Sequence, residues 1–562
     1  MTTATIDDFV TAEVLTPGDA LITARLGAIA GETAALPLLA LAFAVRAVRH
    51  GSTCFDPRED PEVPGLTWPE PQALLAAVRS SRLERVLLVE HDLLYLDRYR
   101  QLEVALCDDL SARADLAAPP LDEDLLRADL DRLFPGAGHA DQRAAAERAA
   151  RVGTIVLTGG PGTGKTTTVA GVLALLQAQS LATRGRSLRV ALTAPTGKAA
   201  ARMREAVAAT ATRLALTEDE RDWLTALPSS TMHRLLGFRH DNHTRFRHDR
   251  TRRLPHDVVV VDETSMASLE HVARLLEALR PDTRLILVGD ADQLASVEAG
   301  AVLHDVVAGW SDRHLVRLTR SHRFGEGIGR LAAAVRDGDT DGALDLLTAG
   351  HPSMRLVDPR SAASVLESRL LPDARALVAA GRRGDQAETL RLLGAHRLLC
   401  AHREGPSGAT TWNDRVASWL RADIGWGEWY AGRPVLITRN DATLGVFNGD
   451  GGVVLDRDDH TVVAIDGSPV REFAPSRLPD VQTGYAMTIH RSQGSEFAHV
   501  TVLLPGSESR AMTRELLYTA ITRAVDSVTV IGTADDVRTA IGRRVARSSG
   551  IVERLAARQA AR

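Results

Sequence analysis

The chain has 562 residues, 44% of them hydrophobic and 25% charged, which suits an ordinary globular protein with room for roughly three or four domains. Its 67 lysines and arginines stand against 72 aspartates and glutamates, a net charge of −5, so overall basicity does not announce a nucleic-acid partner and any such contact must come from local patches. Cys54, Cys107 and Cys400 fit neither a metal spacing nor a disulfide framework and read as core thiols of a reducing compartment. The start, Thr2 to Asp8, is polar and acidic, and the apolar run Leu36 to Val45 is too short to span a bilayer. The sequence therefore predicts a cytosolic protein.

Residues 1 to 117 read as a first folded unit, with helical spacing over Leu36–Val48 and Leu102–Leu110 and short strands at Val86–Val89 and Leu93–Leu96. Ala117-Ala-Pro-Pro120 reads as a linker, and a helix from Leu121 stops at Pro135-Gly136, so 118–135 joins the first unit to the next. Over 136–320, apolar strands at Thr154–Thr158, Arg189–Thr193, Val258–Val261, Leu285–Val288 and His314–Leu318 alternate with helical stretches. That alternation predicts a parallel sheet with helices on both faces. A second α/β set over 321–562 has strands at Arg397–Ala401, Val435–Ile437, Val500–Leu504 and Ser527–Ile531. Within it, at about 440–480, the turn signal Asn448-Gly449-Asp450-Gly451 and the short runs Val453–Leu455 and Val462–Ile465 predict a small all-β insertion.

The stretch from Gly159 to Thr166 fits the phosphate-cradling pattern G-x-x-x-x-G-K-[ST], with a strand before it and a helix after it. Gly159, Gly160, Pro161, Gly162, Thr163 and Gly164 form the loop whose backbone N–H groups close on phosphate oxygens; the helix N-terminus faces the same anion. Lys165 is placed for the β- and γ-phosphates, Thr166 for Mg²⁺, and Thr167 extends the cradle. The strand Val258–Val261 ends in Asp262 and Glu263, at the strand end where ligands collect in open α/β sheets. Asp262 suits a water-mediated Mg²⁺ contact and Glu263 an attacking water. A further strand ends in Gly289, Asp290 and Gln293; a glutamine there senses a γ-phosphate or water without adding charge. Arg323 and Arg523 are candidate arginine fingers.

Between Arg234 and Arg253 lie Arg234, Arg239, Arg245, Arg247, Arg250, Arg252 and Arg253, opposed only by Asp241 and Asp249, with Phe238 and Phe246 interleaved and a candidate hairpin turn at Asp241-Asn242. A basic ribbon with aromatics, spanning about 234–255, suits strand separation or guidance.

In this serial order the chain resembles superfamily 1 DNA helicases, and within them the RecD-type subunits of exonuclease V. The motifs run from Gln142 to Arg523. Besides the elements above they are Ala194-Pro-Thr-Gly-Lys-Ala-Ala200, Thr231-Met-His-Arg-Leu235, Thr488-Ile-His-Arg-Ser-Gln-Gly-Ser-Glu496 and Tyr518–Arg523. The narrower likeness rests on Leu398–Gly405, Ile437–Asp441, Phe447–Asp450 and Leu94–Tyr99. The resemblance implies two RecA-like P-loop lobes with ATP and Mg²⁺ in the cleft and single-stranded DNA across the top. It makes Gln142 an adenine reader and puts Pro195, Thr196, Lys198, His233, Thr488 and His490 in DNA-contacting motifs, joined by Arg245 and Arg247 of the ribbon. It also implies a 5′→3′ motor working in double-strand-end repair with RecB-like and RecC-like partners, the mainly helical first unit docking on the RecC-like one. No carboxylate–lysine cluster outside the ATPase motifs suggests a nuclease, which is expected in another chain. The alternatives are a stand-alone RecD-like helicase, which usually carries a larger N-terminal region, and a catalytically silent, nucleotide-gated structural subunit.

Overall fold

The computed structural model describes residues 4–59, 66–117, 120–239, 245–320, 326–441, 443–458, 460–467, 469–545 and 547–561. Arg323 and the turn Asp241-Asn242 lie outside them.

In the first unit, the helix Ala35–Arg49 is apolar nearly all round and is buried accordingly. Its Phe43 stacks on Trp68 with ring centroids 4.4 Å apart. Strands β1 (Leu87–Glu90) and β2 (Leu93–Leu96) form an antiparallel hairpin. The helix Asp97–Ala114 that follows packs elsewhere: Leu102, Leu106 and Leu110 join Val259, Leu276 and Leu285 in one core. Although the sequence groups this helix with the first unit, its apolar face completes the first lobe.

That lobe comprises β3 (Thr154–Gly159), β4 (Val190–Ala194), β5 (Ser229–Thr231), β6 (Val258–Val261), β7 (Arg284–Gly289) and β8 (Leu315–Leu318). They form an all-parallel sheet in the order β5-β4-β6-β7-β3-β8. The Val-Val-Val-Val run of β6 is buried throughout, as a strand covered on both faces must be. The order places β3 beside β7, with β6 next, so the P-loop, the Asp262-Glu263 pair and the Asp290–Gln293 segment leave the sheet at the same edge. This is the strand-end crevice where such folds bind ligands.

The second lobe contains β9 (Met354–Val357), β10 (His396–Cys400), β11 (Pro434–Ile437), β12 (Gly451–Arg457), β13 (His460–Ile465), β14 (Arg471–Phe473), β15 (Val481–Thr483), β16 (Ala486–Thr488), β17 (Phe497–Leu503) and β18 (Ala524–Ile531). A parallel sheet runs β16-β10-β17-β18-β9, and an antiparallel one runs β14-β13-β12-β11-β15. Because β11 pairs antiparallel with β12 and β15, the run Val435–Ile437 belongs to the all-β insertion rather than to the parallel sheet.

The chain then crosses back. Val545 N–H donates to Glu515 of the second lobe at 3.0 Å, and two residues later Arg547 Nη1 donates to Glu298 O of the first lobe at 3.3 Å. The last helix, Ile551–Ala560, lays Ile551 and Leu555 into the first-lobe core. Its Arg554 meets the fully buried Glu103 at 3.2 Å. Among the described residues, no helix is long and apolar enough to cross a membrane.

Candidate functional site

The loop after β3 turns on Gly162 and Gly164, both at positive φ (76° and 82°), conformations that glycine adopts without steric cost. A Cβ on Gly159 would stand 2.7 Å from Leu318 O and 2.8 Å from Thr163 Oγ1, so the strand-end glycine is required by packing as well. Lys165 opens the helix Lys165–Arg184, and its ammonium donates to Gly159 O (2.7 Å) and Gly160 O (3.0 Å). Thr166 and Thr167 follow in the first turn, half-buried beside the cradle. Pro161 and Thr163 are buried, and Thr163 Oγ1 closes the loop on Gly160 O at 2.8 Å.

Gln142 lies against this loop, its Nε2 donating to Thr163 O at 3.4 Å, while its buried Oε1 has no hydrogen-bond partner. A buried amide oxygen left unpaired costs on the order of 1–3 kcal/mol. An exocyclic amine at that position would satisfy it.

Opposite the loop, Glu263 adopts a left-handed backbone (φ 49°), rare for a non-glycine residue. Its N–H donates to Asp262 Oδ1 at 2.9 Å. Burial, and then the charge on Glu263, push the Asp262 carboxyl up to about 7. Paired carboxylates offer oxygen donors of the kind that suit a hard divalent cation.

The third corner joins the lobes. Asp290 Oδ2 accepts from Gln293 Nε2 at 3.0 Å and from the Tyr518 hydroxyl of the second lobe at 3.1 Å. Gln293 Oε1 is buried and unpaired, ready to accept from a water or another donor. Leu294 N–H donates to Thr519 Oγ1 at 3.0 Å, and Gln493 Nε2 donates to Leu294 O at 3.0 Å. A Cβ on Gly160 would stand 3.1 Å from the Tyr518 hydroxyl, so this tyrosine lies directly on the phosphate loop. In the sequence Tyr518 stands within a motif that gives it no role; only its neighbours in space reveal one. Arg523 is buried, held by Thr519 O (3.1 Å) and Ser495 O (3.4 Å) in the second lobe.

Three comparisons with known proteins bear on this geometry. Residues 142–299 match the AAA domain family, and 483–531 match the UvrD-like helicase C-terminal domain. The RecBCD enzyme subunit RecD of Mycolicibacterium smegmatis is 52% identical over 559 residues, which cover 97% of this chain and 98% of that one. The chain belongs to the RecD family. Among other relatives of this RecD-family chain, the RecBCD enzyme subunit RecD of Mycobacterium tuberculosis is 50% identical, with 97% of this chain and 95% of that one covered. The ATP-dependent RecD2 DNA helicase of Deinococcus radiodurans is 34% identical over 72% of this chain but only 50% of its own length. A crystal structure of Bacteroides Pif1 bound to single-stranded DNA aligns over 71% of this chain and 93% of that chain, with 16% identity and a TM-score of 0.39. A RecD-family chain is a superfamily 1 ATP-dependent DNA helicase, and the match to the AAA domain family spans the loop, the Asp262-Glu263 pair and Gln293.

The residues expected to meet DNA are less uniform. Pro195 and Thr196 follow β4, and the Thr196 side chain caps the helix Gly197–Ala211 by accepting from Ala199 N–H at 3.2 Å. Lys198, two residues on, is half-buried between the lobes. His233 lies in the short helix Met232–Leu236, with its Nε2 3.0 Å from His271 Nε2. Burial, then His271, hold its imidazole below the usual range. Its ring abuts both Phe238 and Phe246, whose backbones form an isolated antiparallel bridge at the base of the ribbon. Arg245 and Arg247 are exposed there, as is Phe238 in part. Arg250 is instead paired with Asp109 of the helix Asp97–Ala114 at 2.7 Å. Thr488 ends β16, and His490 is exposed in the turn after it.

Proposed function

We propose that this chain is the 5′→3′ motor subunit of a RecBCD-type exonuclease V, working with RecB-like and RecC-like subunits to unwind DNA double-strand ends for recombinational repair. Lys165 and the loop glycines hold the ATP phosphates, Thr166 and Asp262 hold Mg²⁺, and Gln142 reads the base. Glu263 polarises the attacking water, Gln293 reports the γ-phosphate, and Arg323 and Arg523 stabilise charge developing on it. DNA lies across Pro195, Thr196, His233, Thr488 and His490, guided by Arg245 and Arg247. The nuclease lies in a partner chain.

The observation that carries the complex-forming role is the end-to-end match to RecD subunits, 97% of this chain against 98% of the Mycolicibacterium smegmatis chain, where the RecD2 helicase aligns over only half its length. Polarity and partners come to this chain by family membership alone. Two measurements test them. Purification of the tagged native chain is expected to bring down two large partners in equal amounts. Strand displacement on duplexes tailed at one end is expected only with the 5′ tail. Recovery of the chain alone, active on the same substrates, would favour the stand-alone helicase instead.

A further inference from the structure

A second set of contacts joins the lobes at the start of the helix Gly197–Ala211. The Lys198 ammonium donates to Gly449 O at 2.8 Å and to Ser495 Oγ at 2.8 Å. Both acceptors belong to the second lobe: Gly449 in the turn leading into β12, and Ser495 just before β17. One residue earlier, Gly197 lies against the Phe447 ring, so close that a Cβ would stand 2.3 Å from it; no other residue admits the ring. One turn further along the helix, Arg202 donates to Gly494 O.

The turn that Lys198 meets is itself rigid. Phe447 N–H donates to Asp450 Oδ2 at 2.8 Å, Asp450 is buried, and Gly449 N–H donates to Ile437 O at 2.9 Å. The Gly449 carbonyl is thus fixed by the sheet behind it. Both acceptors of Lys198 are neutral. Desolvation in the seam, with Arg202 adding repulsion, lowers its ammonium to about 7. A cation whose work is to displace counterions from a phosphate backbone has to stay charged and open to that backbone. Lys198 is instead turned onto two protein acceptors across the seam.

We propose that Lys198 is a positioning residue of the motor: together with Phe447 on Gly197 it latches the first lobe to the β insertion of the second, and it does not contact the DNA backbone. Lobe opening breaks this latch and closure remakes it, so that movement in the nucleotide cleft is passed to the insertion. The inference rests on the motor reading given above.

The test uses the full chain with oligothymidylate as the DNA. Lys198→Met keeps the length of the side chain and removes the ammonium; Ser495→Ala removes one acceptor; Phe447→Ala removes the ring. Two quantities are read: the log–log salt slope of oligothymidylate binding, and the ATP hydrolysed per nucleotide translocated. Lys198→Met is expected to leave the slope unchanged while ATP consumed per nucleotide rises roughly tenfold, the size expected when hydrogen bonds to a charged group are lost. Phe447→Ala should move the same readout, and Ser495→Ala should add nothing to Lys198→Met. A slope shallower by about 0.7 in Lys198→Met would make the residue a phosphate contact and overturn the latch, as would unchanged ATP consumption. If the wild-type chain shows no DNA-stimulated turnover at all, it is the motor reading that fails. Urea-unfolding midpoints of the two single variants and the double variant then decide the latch, additivity counting against it.

Discussion

Tyr518 and Asp290 are 228 residues apart and lie on different lobes, yet the tyrosine hydroxyl donates to Asp290 Oδ2 at 3.1 Å. The same carboxylate oxygen takes the Gln293 amide, and the same hydroxyl lies over the phosphate loop at Gly160. Burial and the Asp290 charge hold the hydroxyl well above its usual range, so it remains a donor. Gln293 of the first lobe is thereby joined to the second lobe through one shared carboxylate oxygen. Tyr518→Phe keeps the ring and removes that bond. Hydrogen bonds to charged groups contribute about 1.5–3 kcal/mol, so DNA-stimulated turnover should fall about tenfold or more. Nucleotide affinity, measured by titration with a fluorescent ATP analogue, should change much less; an equal loss of both would make the tyrosine a binding residue only.

Lys165→Ala should abolish hydrolysis without unfolding the chain, since among the described residues the ammonium's hydrogen bonds run to the loop carbonyls of Gly159 and Gly160. Arg523→Ala should lose about 10³–10⁵ in rate if it acts as a finger. Its contacts with Thr519 O and Ser495 O make a smaller loss, accompanied by a lower melting temperature, the signature of a structural role. Turnover and thermal melting measured on the same preparations separate the two.

In the basic ribbon, the structure divides the arginines. Neutralising Arg245 and Arg247 should reduce the salt slope of single-strand binding by about 0.7 per contact. Arg250→Ala should leave that slope alone, because its guanidinium is committed to Asp109. Its cost should appear in stability, at about 1 kcal/mol or less for so exposed a pair. A slope change in Arg250→Ala with none in the other two would reverse the assignment.

A chain beginning at Leu121 is expected to fail as a folded motor. It would lose Leu102, Leu106 and Leu110, all buried in the first-lobe core, and would leave Arg554 without its partner Glu103. Each buried leucine truncated to alanine costs about 2–5 kcal/mol, so losing three approaches the roughly 5–15 kcal/mol that holds a domain folded. Soluble, cooperatively melting protein from that chain would contradict the packing described here. A docking role for the remainder of the first unit is better tested by surface changes at Leu21 and Ile29, which are 72% and 68% exposed on one helix.

Asp257, at the start of β6, accepts from Arg186, Arg189 and Arg280. Burial acts to raise its carboxyl, and the three guanidiniums outweigh it, holding it far below the usual carboxylate range. A folded-state value below the unfolded one stabilises above the unfolded value and is lost as pH falls through the folded value. Asp257→Asn should therefore cost about 2 kcal/mol, a constant amount above a pH of about 4, with the gap to wild type closing only in stronger acid. Urea unfolding from pH 7 to pH 2 checks it; a gap that opened on acidification would give the wrong sign.

Much of this protein was legible in the sequence. The P-loop, the Asp262-Glu263 pair and the Gln293 segment each consist of a buried apolar strand followed at once by its chemistry, and strand and motif are encoded within about ten residues of one another. Local spacing is enough for that, and the five predicted strands of the first lobe stand where periodicity put them. The short strands β5 and β16 were not legible, since three residues carry no period, and β11 was assigned to the wrong sheet because an isolated Val-Leu-Ile run does not reveal which neighbour it pairs with. The same limit governs the functional side chains. Lys198, Arg250 and Tyr518 look alike in sequence, polar groups in or near a motif, and their partners Gly449, Asp109 and Asp290 are more than a hundred residues away. What each one does depends on which surfaces meet when the lobes and the helix Asp97–Ala114 pack. That is decided by the burial of apolar faces across the whole chain, a long-range energy that no local stretch of sequence contains.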